Sequence, residues 1–298
     1  MKNDAVFKVH NLSLAFIFIL GNASIIFPVK NADRYTVLGY IITCVLSLCL
    51  FLLLIPAFNL LFCEKEGDNL PQKIIKLSVF ALSFAVALYY SAEAFLSFAE
   101  LAAKLMLPKT PKLITCFFFL ISVVFFATRR EEDLLKFSLL AGGLIGVIII
   151  FFFIASISAF DLNRIFIFSA KSLEPALRQT PPYIKECLPP CLLLGVYQNC
   201  VFGRVQKSAS FWGIIIGFIL LGLCILNSVL IFGVPLSARL SYPYASAVST
   251  VSVGRLFTRL DGFAYFIYYI SSLTKITVCI FICCALLKKG KNMITDSR

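Results

Sequence analysis

The chain has 298 residues, 60% of them hydrophobic and only 14% charged, with a mean hydropathy of +0.94. Soluble domains run nearer ~45–50% apolar and ~25% charged, and a water-soluble fold of this length has no interior large enough to hide such a surplus. A disordered chain is excluded for the same reason, because disorder goes with few hydrophobic residues.

What remains is an all-α polytopic membrane protein, read as one integral membrane domain over residues 1–298. A spanning helix needs ~20 apolar residues, and about eight such runs follow one another. They cover residues 12–29, 36–63, 74–103, 111–128, 136–160, 187–203, 209–236 and 262–287. Stretches such as Phe117 to Ala127 and Gly146 to Ile154 are continuously apolar, which argues against the alternation of a β-barrel. The first run lacks a small-x-small cleavage site and is expected to be retained as a span.

Chemistry is limited by the titratable residues. The single histidine, His10, precedes the first run, so imidazole-dependent nucleophilic catalysis and histidine-rich zinc sites are excluded. Most of the eleven cysteines lie inside apolar runs, among them Cys44, Cys49, Cys116, Cys224, Cys279, Cys283 and Cys284, where they act as small hydrophobes. Cys187-Leu-Pro-Pro-Cys191 is not a CxxC and has no second pair, so no metal and no cofactor are expected. A membrane enzyme acting on lipid would want clustered His, Asp or Cys at an interface, and the expectation is no enzyme.

The net charge of +12 sits in short clusters between the runs, without the aromatic interleaving of single-strand binders, so no nucleic-acid partner is expected. With eight spans both termini share one side. That side carries Lys2, Lys8, Lys65, Lys73, Lys76, Arg129, Arg130, Lys136, Arg204, Lys207, Lys288, Lys289, Lys291 and Arg298. The short loops opposite hold only Lys30, Arg34, Lys104, Lys109 and Lys112, so the termini read as cytoplasmic. The two longer outer segments, 161–186 and 240–260, mix charge with aromatic and aliphatic residues and read as interfacial helices or loops.

Polar residues inside the spans are costly and usually functional. In the third span Tyr89, Glu93, Ser97, Glu100 and Lys104 fall on one helical face; in the last, Tyr265, Tyr268, Ser272, Lys275 and Cys279 do the same. Glu100 and Lys104 sit near the membrane surface and read as an i, i+4 pair. Glu93 and Lys275 lie deep, and either pair with each other or both face a wet cavity. Two spans carry breakers: Leu20-Gly21-Asn22-Ala23-Ser24 in the first, and Pro189-Pro190 with Gly195-Val196-Tyr197-Gln198-Asn199 in the sixth. Interrupted helices at positions one and six mark the solute site of inverted-repeat transporters.

Leu107-Pro108-Lys109-Thr110-Pro111, the charged Arg129–Lys136 turn, Phe232-Gly233-Val234-Pro235, Tyr242-Pro243 and Gly254-Arg255-Leu256-Phe257-Thr258-Arg259-Leu260-Asp261 occur in that order. In this order and spacing the chain resembles the spore germination permease family over nearly its whole length. These are the B subunits of nutrient germinant receptors, within the amino acid–polyamine–organocation superfamily of transporters. The resemblance implies an inverted-repeat transporter-like fold, truncated relative to the family's ten helices. It implies a membrane-embedded receptor subunit for a small nutrient such as an amino acid, in the inner spore membrane, with germinant receptor A and C subunits and the lipid bilayer as partners. The alternative within the superfamily is a cation-coupled amino-acid permease. By the same likeness the solute contacts Gly21, Asn22, Ala23, Ser24, Tyr89, Tyr90, Glu93, Gly195, Tyr197, Gln198 and Ser272, and the intramembrane Lys275 joins them as a candidate. The sequence departs from the family at 195–198, where an acidic residue is expected in the sixth span.

Overall fold

The computed structural model describes residues 2–21, 35–62, 70–107, 109–161, 173–178, 180–203, 205–250 and 261–295. Among them there is no strand. The helices are α1 (Lys2–Leu20), α2 (Thr36–Phe62), α3 (Leu70–Leu101), α4 (Lys112–Ala127), α5 (Glu131–Ala155), α6 (Leu173–Arg178), α7 (Thr180–Phe202), α8 (Lys207–Phe232), α9 (Val234–Ser237), α10 (Pro243–Thr250) and α11 (Asp261–Thr295). A π-helical turn, Ala102–Met106, extends α3, closed by the Leu107 N–H on the Ala102 carbonyl at 2.9 Å.

Five of these helices are long and apolar enough to cross a bilayer, over Thr36–Leu61, Gln72–Met106, Glu131–Ala155, Lys207–Phe232 and Gly262–Lys291. Lys8–Leu20 and Lys112–Ala127 are shorter apolar helices, and α7 is longer but more polar. Side chains such as Leu53, Leu113, Leu140 and Val147 point outward. A rim of exposed aliphatic residues on successive helices is what a lipid solvent dictates. The chain is an all-α polytopic membrane protein.

Burial sorts the helices into a centre and a rim. Residues Ser13 to Gly21 of α1 are all buried, and α8 and α11 are covered over most of their length, while α2 and α3 show broad faces outward. Close approach of α8 to α1 depends on Gly213 and Gly217, one turn apart. A Cβ at Gly213 would lie 2.6 Å from the Leu12 carbonyl oxygen and 2.6 Å from the Ala15 Cβ; one at Gly217 would lie 3.1 Å from the Ile19 Cβ. Small residues at this spacing let backbones approach where no hydrophobic effect between helices assists them.

The most extensive pairings are α1 with α8, α2 with α7, and α3 with α11. Between α8 and α11, helix α10 turns inward, and Tyr242, Tyr244, Ala245 and Val248 are buried against both neighbours. The expectation of an interfacial element over 240–260 is thereby corrected for residues 242–250: tyrosines and small residues on one face give α10 a core to bury. Residues 162–172 and 251–260 lie outside the described residues.

Candidate functional site

Helix α1 stops in the middle of the bundle. Its last turn closes with the Gly21 N–H on the Ile17 carbonyl at 2.9 Å, and Gly21 itself is in a turn. Glycine is required there because the Lys275 side chain lies against it. A Cβ at Gly21 would sit 2.7 Å from the Lys275 Cδ and 3.0 Å from the Phe18 carbonyl oxygen. Lys275 is only 2% exposed, far from either end of α11. Among the described residues it makes no ion pair and no hydrogen bond; its ammonium stands over the Tyr90 ring, 5.1 Å from the centroid. An ammonium over a tyrosine face is held by the ring quadrupole, an attraction that grows when water is excluded.

Tyr90 belongs to α3 and ties it to α7. Its hydroxyl donates to the Lys185 carbonyl at 2.5 Å. That carbonyl is available because the residue four further on is Pro189, which has no N–H to give it. The sixth span was expected to be interrupted, and here the expectation is corrected: α7 runs unbroken from Thr180 to Phe202 through Pro189, Pro190 and Gly195. Inside a membrane a neighbouring side chain can satisfy a carbonyl that proline frees, and then the helix need not unwind. Tyr90→Phe should therefore lower the melting temperature and Pro189→Ala in the same chain should recover part of the loss. A buried carbonyl without a donor costs about 1–3 kcal/mol, and an alanine at 189 brings its own N–H. Thermal unfolding of the two single variants and the double variant checks this, and additive losses would refute it.

Charge gathers at the same level. Lys185 Nζ donates to Glu93 Oε1 at 2.7 Å and stands 5.6 Å from the Tyr89 ring centroid. The other carboxylate oxygen, Glu93 Oε2, is buried without a hydrogen-bond partner. Glu186, next along α7, interacts with the charges of Lys275, Glu93 and Lys185. Two acids and two bases from α3, α7 and α11 thus interact with one another, and one of them, Lys275, lies against Gly21 at the end of α1. The deep Glu93 was expected either to pair with Lys275 or to share a wet cavity with it. The pairing is corrected: Lys185 takes Glu93, because α7 begins at Thr180 and carries Lys185 into the helix, where the outer loop had been placed.

The other expected residues divide by position. Tyr89 stacks edge-on against Tyr90, ring centroids 5.4 Å apart, and is exposed on its far side. Ser272 is buried on α11, one turn before Lys275. Asn22, Ala23 and Ser24 lie outside the described residues. Gly195, Tyr197 and Gln198 are not brought to the charged cluster, since Gly195 stands about 15 Å along the axis from Lys185. A Cβ at Gly195 would meet the Phe58 ring of α2 at 2.9 Å. Gln198 Oε1 accepts from the Gln206 N–H at 3.0 Å and the Ser210 hydroxyl at 2.7 Å, and Gln206 accepts from Asn11 at 3.2 Å. These residues join α7, α8 and the opposite half of α1. Glu100 and Lys104 form the expected i, i+4 pair at 2.6 Å, both about half exposed.

Lys185 and Glu186 were missed by reasoning from sequence. Their signal was Thr180-Pro181-Pro182, since proline is favoured in the first turn of a helix.

Residues 6–290 match a family described as spore germination protein. The chain belongs to that family. No curated protein and no solved structure matches the chain. For a membrane-embedded spore germination protein of transporter-like character, the buried Lys275 at the end of α1 and the charges of Glu93, Lys185 and Glu186 linked to it are the part with chemistry to offer a solute. Among the described residues no group of His, Cys, Asp and Glu is placed to hold a metal ion.

Proposed function

We propose that the chain is a nutrient-binding subunit of a germinant receptor and that its solute sits at the end of α1, among Gly21, Tyr90, Glu93, Glu186 and Lys275. The observation that carries this reading is the pair of unfilled groups of opposite sign at that level. Lys275 has an ammonium with no ion pair or hydrogen bond among the described residues, only the more distant charge of Glu186, and Glu93 Oε2 has no donor. A small zwitterion such as an amino acid supplies both missing partners, its carboxylate to Lys275 and its ammonium to Glu93 and Glu186. Charge-assisted hydrogen bonds of this kind are the strong ones.

An inverted repeat fits the helix pairings. If spans one and two repeat as six and seven, the contact of α1 with α8 has its counterpart in that of α7 with α2, and α3 meets α11 across the axis. The reading places the protein in the inner spore membrane with both termini cytoplasmic, beside receptor A and C subunits.

Two experiments test it. Purified protein in lipid nanodiscs should bind one or more amino acids, and spores lacking the gene should lose their response to the same compounds. Absence of binding to any amino acid would overturn the assignment of the solute. Uptake into proteoliposomes, in place of binding without flux, would favour a permease.

A further inference from the structure

A cleft opens at the end of the bundle where α5 begins and α7 and α11 finish, and α11 packs against both of the others. It lies apart from the charged cluster, since Lys288 stands ~20 Å along α11 from Lys275. Its volume is about 420 Å³, within the ~300–1,000 Å³ of ordinary ligand sites. The floor is apolar, made by Val201 of α7 with Phe281 and Ala285 of α11, all half-buried. Three charged residues line it as well: Glu131, the first residue of α5, and Lys288 and Lys289 of α11. The charge of Lys288 acts on Glu131. A lysine at the end of a span ordinarily reaches for the headgroups by itself. Here two lysines share a hollow with a carboxylate from another helix. The hollow sits where sequence passes between apolar and charged, at Leu286-Leu287-Lys288-Lys289 in α11 and Glu131-Glu132-Asp133-Leu134-Leu135 in α5. That is headgroup level, and basic hollows between spanning helices hold phospholipid headgroups.

We propose that this cleft binds one aminophospholipid, of the chemistry of phosphatidylethanolamine. Its phosphate lies on Lys288 and Lys289, its primary ammonium on Glu131, and the start of an acyl chain along Val201, Phe281 and Ala285. The charges select the class. Two bases and one acid match a headgroup that carries a phosphate and an ammonium side by side, and charge-assisted hydrogen bonds form at both. Phosphatidylglycerol satisfies the lysines but leaves Glu131 facing a phosphate. Phosphatidylcholine brings a positive charge with no N–H to donate to the carboxylate. Free inorganic phosphate serves the lysines and leaves the apolar floor uncovered. None of this depends on where the nutrient sits.

The test is native mass spectrometry of the full chain released from nanodiscs made of equal parts phosphatidylethanolamine, phosphatidylglycerol and phosphatidylcholine. The wild type should retain one lipid, with phosphatidylethanolamine enriched about tenfold over the other two, as one charge-assisted contact allows. Replacing Lys288 and Lys289 together by alanine should cut retention of every phospholipid about tenfold or more. Glu131→Gln should keep phosphatidylglycerol at the wild-type level and lose the preference for the amine. Lys112→Ala, which removes a charge at an exposed position on α4, should match the wild type. The isosteric Glu131→Gln carries the test by itself if the double alanine chain does not fold, because it reads a ratio between headgroups that general loosening of the bundle leaves alone. The proposal is overturned by a wild type that shows no preference for phosphatidylethanolamine, by a preference that survives Glu131→Gln, by retention unchanged in the folded double alanine chain, by an equal loss in Lys112→Ala, or by displacement of the lipid with inorganic phosphate.

Discussion

Valine in place of Gly213 should leave no monodisperse folded protein after extraction, while valine in place of Gly143 should behave as the wild type. Both glycines lie inside apolar spanning helices, and hydropathy does not separate them. At Gly143 a Cβ meets nothing within 4 Å, whereas at Gly213 it meets the Leu12 carbonyl oxygen at 2.6 Å. A backbone atom cannot rotate out of the way as a side-chain end can. To make room, α1 would have to move as a body, and it is walled in: Gly142 of α5 lies against Phe16 from another side, and Gly217 of α8 against Ile19. Overpacking of a filled core costs typically about 1–3 kcal/mol where side chains can adjust, and here the backbone itself obstructs, so the loss should exceed that range. Size-exclusion profiles of the two variants decide it. A monodisperse, wild-type-like Gly213→Val protein would show that α1 and α8 are not packed in this way.

The class of the protein was legible because it depends on sums. Composition and run lengths do not depend on how helices rotate against each other. The polar face of α11 was legible too, since it follows from 3.6 residues per turn alone, and Lys275 on it lies against Gly21 and the Tyr90 ring, whereas Tyr89, Glu100 and Lys104 of the α3 stripe face outward. What failed depended on partners in other helices. Pro189-Pro190 argues for a break until Tyr90 is seen to satisfy the Lys185 carbonyl from α3. Glu93 had a lysine to pair with, but which one depended on where α7 begins. Gly195, Tyr197 and Gln198 carry the marks of an interrupted helix, yet an unbroken α7 sets them a long way down its axis from the charges. The approach of α8 to α1 at Gly213 and Gly217 was not read from the sequence, because hydropathy does not separate these glycines from Gly143.

Reversing the charges of Glu93 and Lys185 together should restore much of what each reversal loses alone, and pairing Glu93→Lys with Lys275→Glu should restore nothing. The Glu93–Lys185 contact is a 2.7 Å pair between α3 and α7, with the lysine about half exposed and the carboxylate less so. Exposure of that degree keeps the pair from being worth what a fully buried one is, because water or a solute-filled cavity screens it. Breaking it by one reversal is worse than deleting it, since two like charges then face each other beside Glu186 or Lys275. A loss of about tenfold in nutrient sensitivity for each single reversal matches an interaction of roughly 1–2 kcal/mol. The double reversal should return to within about threefold of the wild type, the margin that non-additive neighbours leave. Lys275 answers differently because its ammonium is set against Gly21 and the Tyr90 ring, so a carboxylate there would face the negative end of α1. Dose–response curves for germination, with each variant's membrane level measured in parallel, distinguish the two pairings. Rescue through Lys275 in place of Lys185 would mean that α7 enters the membrane later than Thr180 and that the charged cluster is arranged around a different pair.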